Sequence, residues 1–302
     1  MMDTERLITR LQEIIDKSHI KLNEPMSRHT TFRVGGNAEV LVCPGSVDEM
    51  MSIIQILKDE EIKYIVIGNG SNLIFSDKGY DGVVIKTINM KDIKVNNNII
   101  EASCGVFLSS ISKAALENNL SGAEFLSGIP GTLGGAVAMN AGIPSAEIKD
   151  ILEYAYVLSH SGEIVKMSKD DFKFSHRMSV IQDSNNVLIS AAIRLKPDSY
   201  ENIHSKMIEL QAKRASTQPL NYPNAGSIFK RIDGQPVGAI IEKAGLKNTT
   251  IGGAKVSEKH ANFIVNTGNA TATDIINLIE LVRKTVKLKA NIDLETEVKI
   301  IE

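Results

Sequence analysis

The 302-residue chain has no tryptophan, only two cysteines and no long apolar run, and these absences exclude several classes of protein. Cys43 and Cys104 form no CxxC pair and follow a charged, non-secretory start, MMDTERL, so we expect reduced thiols in a cytosolic protein. No stretch approaches the ~18 apolar residues that a membrane span needs. The six histidines are scattered without metal-ligand spacing, which argues against a metal site.

An excess of charge of one sign is also lacking. The 34 Lys and Arg residues nearly balance 36 Asp and Glu residues, giving a formal net charge of -2. A broad basic surface is therefore not expected, which argues against nucleic acid or an anionic membrane as the main partner. The hydrophobic content of 43% is enough for a substantial core, and a prior of about 150 residues per domain suggests two domains.

Two glycine-bearing segments are the most informative features present. Residues 127–142 read SGIPGTLGGAVAMNAG, and residues 67–73 read IGNGSNL directly after a predicted buried strand. Glycine exposes backbone amide donors, so we expect the two loops to face one phosphate-containing ligand, and two loops suggest a dinucleotide. Neither segment is a GxxxxGK[ST] loop, and residue 73, where the Rossmann fingerprint has its third glycine, is leucine.

Apolar periodicity predicts a mixture of helices and strands. Predicted helices are 4–17, one opened by Ser46 with Glu49 as a capping box, 108–118, 132–139, one ending near 210–214, 237–244, and one capped by Thr271 and Asp274. Predicted strands begin at 38 and cover 64–67, 83–85, 94–102, 153–165, 187–195, 262–266 and 294–300. The elements between residues 38 and 67, and those between residues 262 and 300, are each predicted to form a βαβ unit. The free amides at the start of helix 132–139 would favour a phosphate.

Three polar residues are candidates for chemistry. Arg177 lies in FSHRMS, Ser227 in NAGSIFK and Glu297 in LETEV. From the residues alone, each also has an ordinary structural interpretation: an arginine in a surface turn, a serine bonded to the backbone, and a glutamate on a solvated strand face. No GxSxG elbow supports Ser227 as an acyl-enzyme nucleophile.

Nine segments, in order from residue 23 to residue 298, resemble the UDP-N-acetylenolpyruvoylglucosamine reductase family. They are RHTTFRVGG, GNGSNLI, IPGTLGGAVAMNAG, FSHRMS, NAGSIFK, EKAGL, IGGAKVSEKHANFIVN, ATATD and LETEV. The resemblance implies an α+β fold with noncovalent FAD in a domain of the vanillyl-alcohol-oxidase (PCMH) type, and a smaller α/β C-terminal domain for a UDP-sugar. The expected boundaries are 1–22 for an N-terminal helix, 23–197 for the FAD domain and 198–302 for the substrate domain.

The resemblance also implies a reaction and the residues that perform it. NADPH would reduce the flavin, which would pass hydride to C3 of the enolpyruvyl ether on UDP-N-acetylglucosamine, a cytoplasmic step of peptidoglycan precursor synthesis. Arg177 would bind the substrate carboxylate, and Glu297 would assist the developing enolate as a proton-bearing partner, which requires a raised pKa. Ser227 would donate the proton to C2.

Binding residues follow from the same resemblance. Those expected for FAD are Arg33, Gly35, Gly36, Gly68, Asn69, Gly70, Ser71, Asn72, Gly131, Thr132, Gly134 and Gly135. Those expected for the UDP-sugar are Lys230, Asn262, Lys255 and Lys259, because a diphosphate needs local cations in a weakly acidic protein; solvated lysines are the alternative.

The chain departs from the family pattern at His176, where tyrosine is usual, and histidine could introduce a titration near neutral pH. It also lacks an added tyrosine-bearing loop and therefore resembles the shorter subclass. Two alternatives remain from the sequence: another flavoprotein of this fold class, acting as an oxidase or dehydrogenase on an alcohol or sugar, and a catalytically silent nucleotide-sugar binding protein.

Overall fold

The structure is a computed structural model that describes residues 3–182, 184, 186–232 and 235–302. It divides into two compact units, each built from separate stretches of the chain. The first comprises Met1–Leu22, Val40–Asn69 and Gly82–Ala212, and the second comprises Asn23–Glu39, Gly70–Asp81 and Lys213–Glu302. The continuous domains expected from the sequence, 1–22, 23–197 and 198–302, stay a prediction.

Each predicted helix has a counterpart in the structure, but the first ends at Gln12 rather than at residue 17, and the short helix 148–151 was not predicted. The helices are α1 (Thr4–Gln12), α2 (Val47–Asp59), α3 (Leu108–Glu117), α4 (Leu133–Ala138), α5 (Ile148–Ile151), α6 (Tyr200–Thr217), α7 (Val237–Lys243) and α8 (Ala272–Ala290). Among the residues described, every helix is too short or too polar to cross a membrane.

The strands form several small sheets. In chain order they are β1 (Ile20–Pro25), β2 (Asn37–Val42), β3 (Tyr64–Ile67), β4 (Leu73–Phe75), β5 (Tyr80–Lys86), β6 (Ile93–Asn96), β7 (Ile99–Ser103), β8 (Leu120–Ser121), β9 (Gly142–Ile143), β10 (Ala146–Glu147), β11 (Leu152–Leu158), β12 (Ile164–Ser168), β13 (Val187–Arg194), β14 (Lys196–Pro197), β15 (Thr250–Ile251), β16 (Ala254–Val256), β17 (Ile264–Asn266) and β18 (Lys299–Ile301).

Two sheets carry most of the first unit. One has the order β1-β2-β5-β3, with β3 and β5 parallel, and the other is antiparallel in the order β12-β11-β13-β7-β6. Their apolar faces, with those of α1, α2 and α3, contribute to one continuous core of buried aliphatic side chains. Burial of this apolar surface is the main stabilising contribution to such a unit.

The second unit has its own core around α7 and α8. Strands β15, β16 and β17 form an antiparallel sheet, and β18 pairs with β4 in parallel. Apolar residues of α8 at helical spacing, including Ile275, Ile279, Val282 and Val286, are buried in this core. Two separate cores are consistent with two units that each bury their own apolar surface.

Helix caps follow the sequence with one difference. The capping box of Thr271 and Asp274 at α8 is present, as predicted. At α2, Ser46 Oγ accepts the amide of Glu49 as predicted, but the Glu49 carboxylate accepts the amide of Gly45 rather than closing a box on Ser46. A side-chain cap such as that of Ser46 contributes about 1 kcal/mol to helix stability.

Three strand predictions are wrong, two because turns interrupt apolar runs. Residues 94–102 and 153–165 are not single strands but parts of the hairpins β6–β7 and β11–β12. Asn97 and Gly162 lie in the left-handed region there, with φ of 53° and 90°. In the third case, the extended segment 294–300 pairs as a regular strand only in β18.

The predicted C-terminal βαβ unit is also wrong, because β17 and β18 belong to different sheets. At the other end of the chain, β2 and β3 do share a sheet, but β5 lies between them.

Candidate active site

The two glycine-bearing segments meet in the first unit. A Cβ placed on Gly68 would lie 2.1 Å from the Oγ1 atom of Thr132, so only glycine leaves room at this position without displacing that hydroxyl. Thr132 is 1% exposed, and its Oγ1 is a buried hydroxyl without a hydrogen-bond partner among the described residues. A buried polar atom without a partner costs free energy unless a ligand satisfies it. The contact fits a polar cofactor bound where the two segments converge.

The start of α4 is less open to a phosphate than the sequence suggested. The amide of Leu133 donates to the Val106 carbonyl at 2.9 Å, and the amide of Gly134 donates to the Cys104 carbonyl at 2.8 Å. The expectation of free amides is therefore wrong for these two groups. Burial raises the pKa of the Cys104 thiol to about 12, so the thiol stays protonated and is not a thiolate nucleophile.

The RVGG turn and the second half of GNGSN lie in the second unit. Gly70 has a φ of 68°, and a Cβ there would lie 2.1 Å from the His29 carbonyl oxygen. A Cβ on Gly36 would lie 2.3 Å from the Asp77 carbonyl oxygen. Close backbone packing thus explains these two glycines, while Arg33, with a φ of 57°, is exposed. Their roles toward FAD stay a prediction.

Arg177 is held by the end of the glycine-rich segment, within the first unit. It lies in a tight turn between Ser175 and Met178 with a φ of 58°, and its side chain is 20% exposed. Its guanidinium donates to the carbonyls of Asn140 at 3.4 Å and Gly142 at 3.1 Å. These bonds orient the planar guanidinium, whose charge and geometry suit a carboxylate.

Sequence reasoning missed two residues beside Arg177. Asn140 is fully buried with a φ of 42°, and its amide donates to Glu147 Oε2 at 3.1 Å and to the Ser175 carbonyl at 3.0 Å. Glu147 also pairs with Lys149 at 2.9 Å, and its Oε1 lies 4.0 Å from the Arg177 guanidinium. A further contact, between Glu147 and His176 Nδ1, measures 3.9 Å. Spacing alone could not have revealed these contacts, because they depend on two turns folding onto each other.

Ser227 and Glu297 lie on adjacent segments of the second unit. The amide of Glu297 donates to the carbonyl of Ile228 at 2.7 Å, and Phe229 forms a β-bridge with Thr296. Leu294 and Val298 are 3% exposed, whereas Glu297 is half-buried. The alternation predicted for this segment therefore holds at these positions, and it places Glu297 on the opposite face from the core.

Asn72, from the GNGSN segment, contacts the same region. Its side-chain amide donates to the Glu297 carbonyl at 2.9 Å, and its own carbonyl accepts the amide of Lys299 at 3.0 Å. A residue predicted for the cofactor therefore also anchors the backbone of Glu297. Only the tertiary structure reveals this contact, because the two residues are separated by 225 positions.

Three of the four predicted UDP-sugar residues, Lys230, Lys259 and Asn262, already bind groups of the second unit. Lys230 pairs with Glu295, and Lys259 Nζ donates to the carbonyl of Ala215 at 2.5 Å. Lys255 lies on β16, and Asn262 is buried with both polar atoms of its side chain bonded to Phe229. Arg177 belongs to the first unit and Ser227 and Glu297 to the second.

Family models match both halves of the chain. Residues 218–301 match the C-terminal domain of UDP-N-acetylenolpyruvoylglucosamine reductase, and residues 38–168 match an FAD binding domain. The second match includes Gly68 and Thr132, whose contact fits a polar cofactor. FAD is therefore the cofactor of this chain.

Full-length relatives carry the same name. The UDP-N-acetylenolpyruvoylglucosamine reductase of Caldanaerobacter subterraneus subsp. tengcongensis is 48% identical over 297 residues, which is 98% of each chain. That of Clostridium botulinum (strain 657 / Type Ba4) is 42% identical over 301 residues, covering 100% of this chain and 98% of the relative.

Solved structures agree. The reductase of the same family from Thermus caldophilus superposes with a TM-score of 0.80 at 31% identity, over 94% of this chain and 98% of that chain. Wild-type Phl p 4.0202, a glucose dehydrogenase, has a TM-score of 0.52 at 12% identity over 64% of this chain and 44% of that chain, so this similarity concerns the fold alone. The predicted fold class is confirmed.

Proposed function

We propose that this chain, which belongs to the UDP-N-acetylenolpyruvoylglucosamine reductase family, uses NADPH and FAD to reduce UDP-N-acetyl-3-O-(1-carboxyvinyl)-glucosamine to UDP-N-acetylmuramate. The reaction is a cytoplasmic step in the synthesis of peptidoglycan precursors. The observation that carries the proposal is the bond between the amide of Glu297 and the carbonyl of Ile228, because it brings two groups for proton chemistry onto adjacent segments.

The segments that carry Gly68 and Thr132 would hold FAD, which would supply hydride from NADPH to C3 of the enolpyruvyl group. Arg177 binds the carboxylate of that group, where negative charge increases as the hydride arrives. Its fork is suited to this task, since two parallel N–H donors bind a carboxylate more strongly than a single donor does. The bonds to Asn140 and Gly142 limit the rotation of the guanidinium before substrate binds.

Ser227 and Glu297 complete the reaction at C2. The Ser227 hydroxyl donates its proton to the carbanion that hydride addition creates, and the serine oxygen then regains a proton from water. Glu297, carrying a proton, donates a hydrogen bond to the enolate oxygen as charge develops there. General-acid steps of this kind typically contribute ~10² to 10⁴ in rate.

The cofactor site is tested at Gly68, because a methyl group there would lie 2.1 Å from Thr132 Oγ1. We expect Gly68→Ala to purify with a lower flavin content, measured as the ratio of flavin absorbance to protein. Gly45→Ala is the matched control, since its Cβ would meet only Glu49, at 3.6 Å. Full flavin content in Gly68→Ala would rule out an essential role for this contact.

The reaction is tested by anaerobic stopped-flow absorbance on Ser227→Ala. We expect NADPH to reduce the flavin at the wild-type rate and transfer to the enolpyruvyl substrate to slow by roughly 10² or more. Equal slowing of both half-reactions would exclude the proton-donor role. A wild-type protein whose reduced flavin reoxidises only with oxygen would be an oxidase, and one that binds no flavin would be a binding protein.

A further inference from the structure

The segment that begins with Ser227 is held on one side by a single residue. The carbonyl of Asn262 accepts the amide of Ile228 at 2.8 Å. Its side chain then binds the next residue through both polar atoms: Oδ1 accepts the amide of Phe229 at 3.0 Å, and Nδ2 donates to the carbonyl of Phe229 at 2.9 Å. Three hydrogen bonds from one residue therefore fix the backbone of two consecutive residues, Ile228 and Phe229.

The opposite side of the same segment is held by the strand that carries Glu297. The amide of Glu297 donates to Ile228 at 2.7 Å, and the amide of Lys230 donates to the carbonyl of Glu295 at 2.9 Å. The segment 228–230 therefore lies between Asn262 and residues 295–297. Displacing it would change the separation of Ser227 and Glu297, because Ser227 is covalently joined to Ile228.

We infer that Asn262 is a positioning residue for the proton-transfer pair Ser227 and Glu297, and not a ligand of the UDP-sugar. This inference rests on the proposed function. Asn262 is 7% exposed, and its side-chain amide pairs with the backbone of Phe229 as a neighbouring strand would. An amide can both accept from and donate to a single residue in this way, whereas an aliphatic side chain can do neither.

Asn262→Asp is the sharpest test, because it preserves shape and the acceptor for the Phe229 amide but replaces the donor with a second oxygen. That oxygen would face the carbonyl of Phe229, and two acceptors repel. We expect flavin reduction by NADPH within about 2-fold of wild type and substrate affinity within about 3-fold. We expect the transfer step at saturating substrate to slow roughly 10- to 100-fold.

Asn266→Asp is the matched control. Asn266 is also buried, at 4% exposure, and its Nδ2 donates to the carbonyl of Phe32 at 3.0 Å while its Oδ1 accepts two amides. The control loses an equivalent donor in the same unit and does not bond to segment 227–230. We expect its unfolding temperature to fall about as much as that of Asn262→Asp, with transfer within about 3-fold of wild type.

The outcomes separate the inference from the proposed function. A wild-type protein that fails to transfer hydride to the enolpyruvyl substrate overturns the proposed function. If wild type is active, substrate affinity that falls at least 10-fold in Asn262→Asp with an unchanged transfer step makes Asn262 a ligand and overturns the inference. Equal slowing in both variants does the same, because it indicates a general structural effect.

Hydrogen exchange on the wild-type protein provides a test that needs no variant. The amides of Ile228 and Phe229 both donate to Asn262, so we expect them to exchange at least 10²-fold more slowly than unstructured amides. Exchange of either amide at the unstructured rate would show that Asn262 does not fix this segment.

Discussion

The regions around Arg177 and around Ser227 and Glu297 hold their functional groups in different ways. Arg177 is oriented through its own side chain, which donates to the carbonyls of Asn140 and Gly142. Ser227 and Glu297 are placed through their backbone, by bonds that join residues 228–230 to 295–297. We therefore expect the orientation of Arg177 to depend on nearby charges, and the positions of Ser227 and Glu297 to depend on the pairing of their backbone segments.

In both regions the supporting residues are remote in the sequence. Asn140 and Gly142 are 37 and 35 residues from Arg177, whose side chain they hold. Asn262 and Asn72 are 33 and 225 residues from the segments that they hold. Positioning thus depends on long-range contacts in both regions, and residue spacing does not reveal them.

Of the substitutions that test this comparison, Arg177→Lys should have the largest effect on hydride transfer to the substrate. Lysine keeps the charge, but its single ammonium group cannot hold both carbonyls and also bind a carboxylate through a planar fork. We expect the rate of transfer divided by the substrate dissociation constant to fall about 10²- to 10³-fold, with flavin reduction unchanged. Stopped-flow absorbance measures both quantities. If the ratio fell by less than 5-fold, the hydrogen bonds from Arg177 to the two carbonyls would be unimportant for transfer.

Glu147→Gln should have an intermediate effect, on the affinity for the substrate. The substitution removes the charge that lies 4.0 Å from Arg177 but keeps an oxygen that can accept from Asn140. Partly exposed ion pairs contribute about 0–1 kcal/mol, so we expect substrate affinity to change by about 2- to 5-fold.

The matched control for Glu147→Gln is Glu153→Gln, which breaks an ion pair with Arg194 rather than with Arg177. Substrate titration monitored by flavin absorbance gives the affinities. An identical change in both variants would contradict a specific role for Glu147 beside Arg177.

The smallest expected effect is a pH dependence of stability at Asn262, the residue that holds the backbone next to Ser227. Burial lowers the pKa of His260, and its Nδ1 accepts the amide of Asn262 at 3.2 Å. Because the folded-state pKa lies below the unfolded value of about 6.5, the folded protein binds fewer protons, and this contribution to stability is present above pH 6.5 and lost as the pH falls. Protonation also removes the acceptor on Nδ1.

We expect the unfolding temperature to fall by roughly 1–3 °C more between pH 7.5 and pH 5.5 in wild type than in His260→Asn. The asparagine keeps an acceptor oxygen near the position of Nδ1 but does not titrate. Differential scanning calorimetry at several pH values measures the difference. Parallel pH profiles would show that His260 does not link protonation to this region.

Local features of the fold could be predicted well, because they depend on nearby residues. The caps at Ser46 and Thr271 and helices α3 and α8 follow from spacing within a few residues. The hairpin turns at Asn97 and Gly162 were missed because apolar residues on both sides continue through them. The partner of β18 could not be predicted, because it is β4, which lies far earlier in the chain, and such pairing depends on which distant segments meet.

Motif order alone determined the family, the FAD cofactor and the fold class of this protein, because nine ordered segments retain the residue types that the chemistry requires. Only the tertiary structure showed that Thr132 faces Gly68, that carbonyls orient Arg177, and that Asn262 pairs with the backbone beside Ser227. The physical reason is that residue identity determines which bonds a group can make, whereas long-range packing decides which partner it finds.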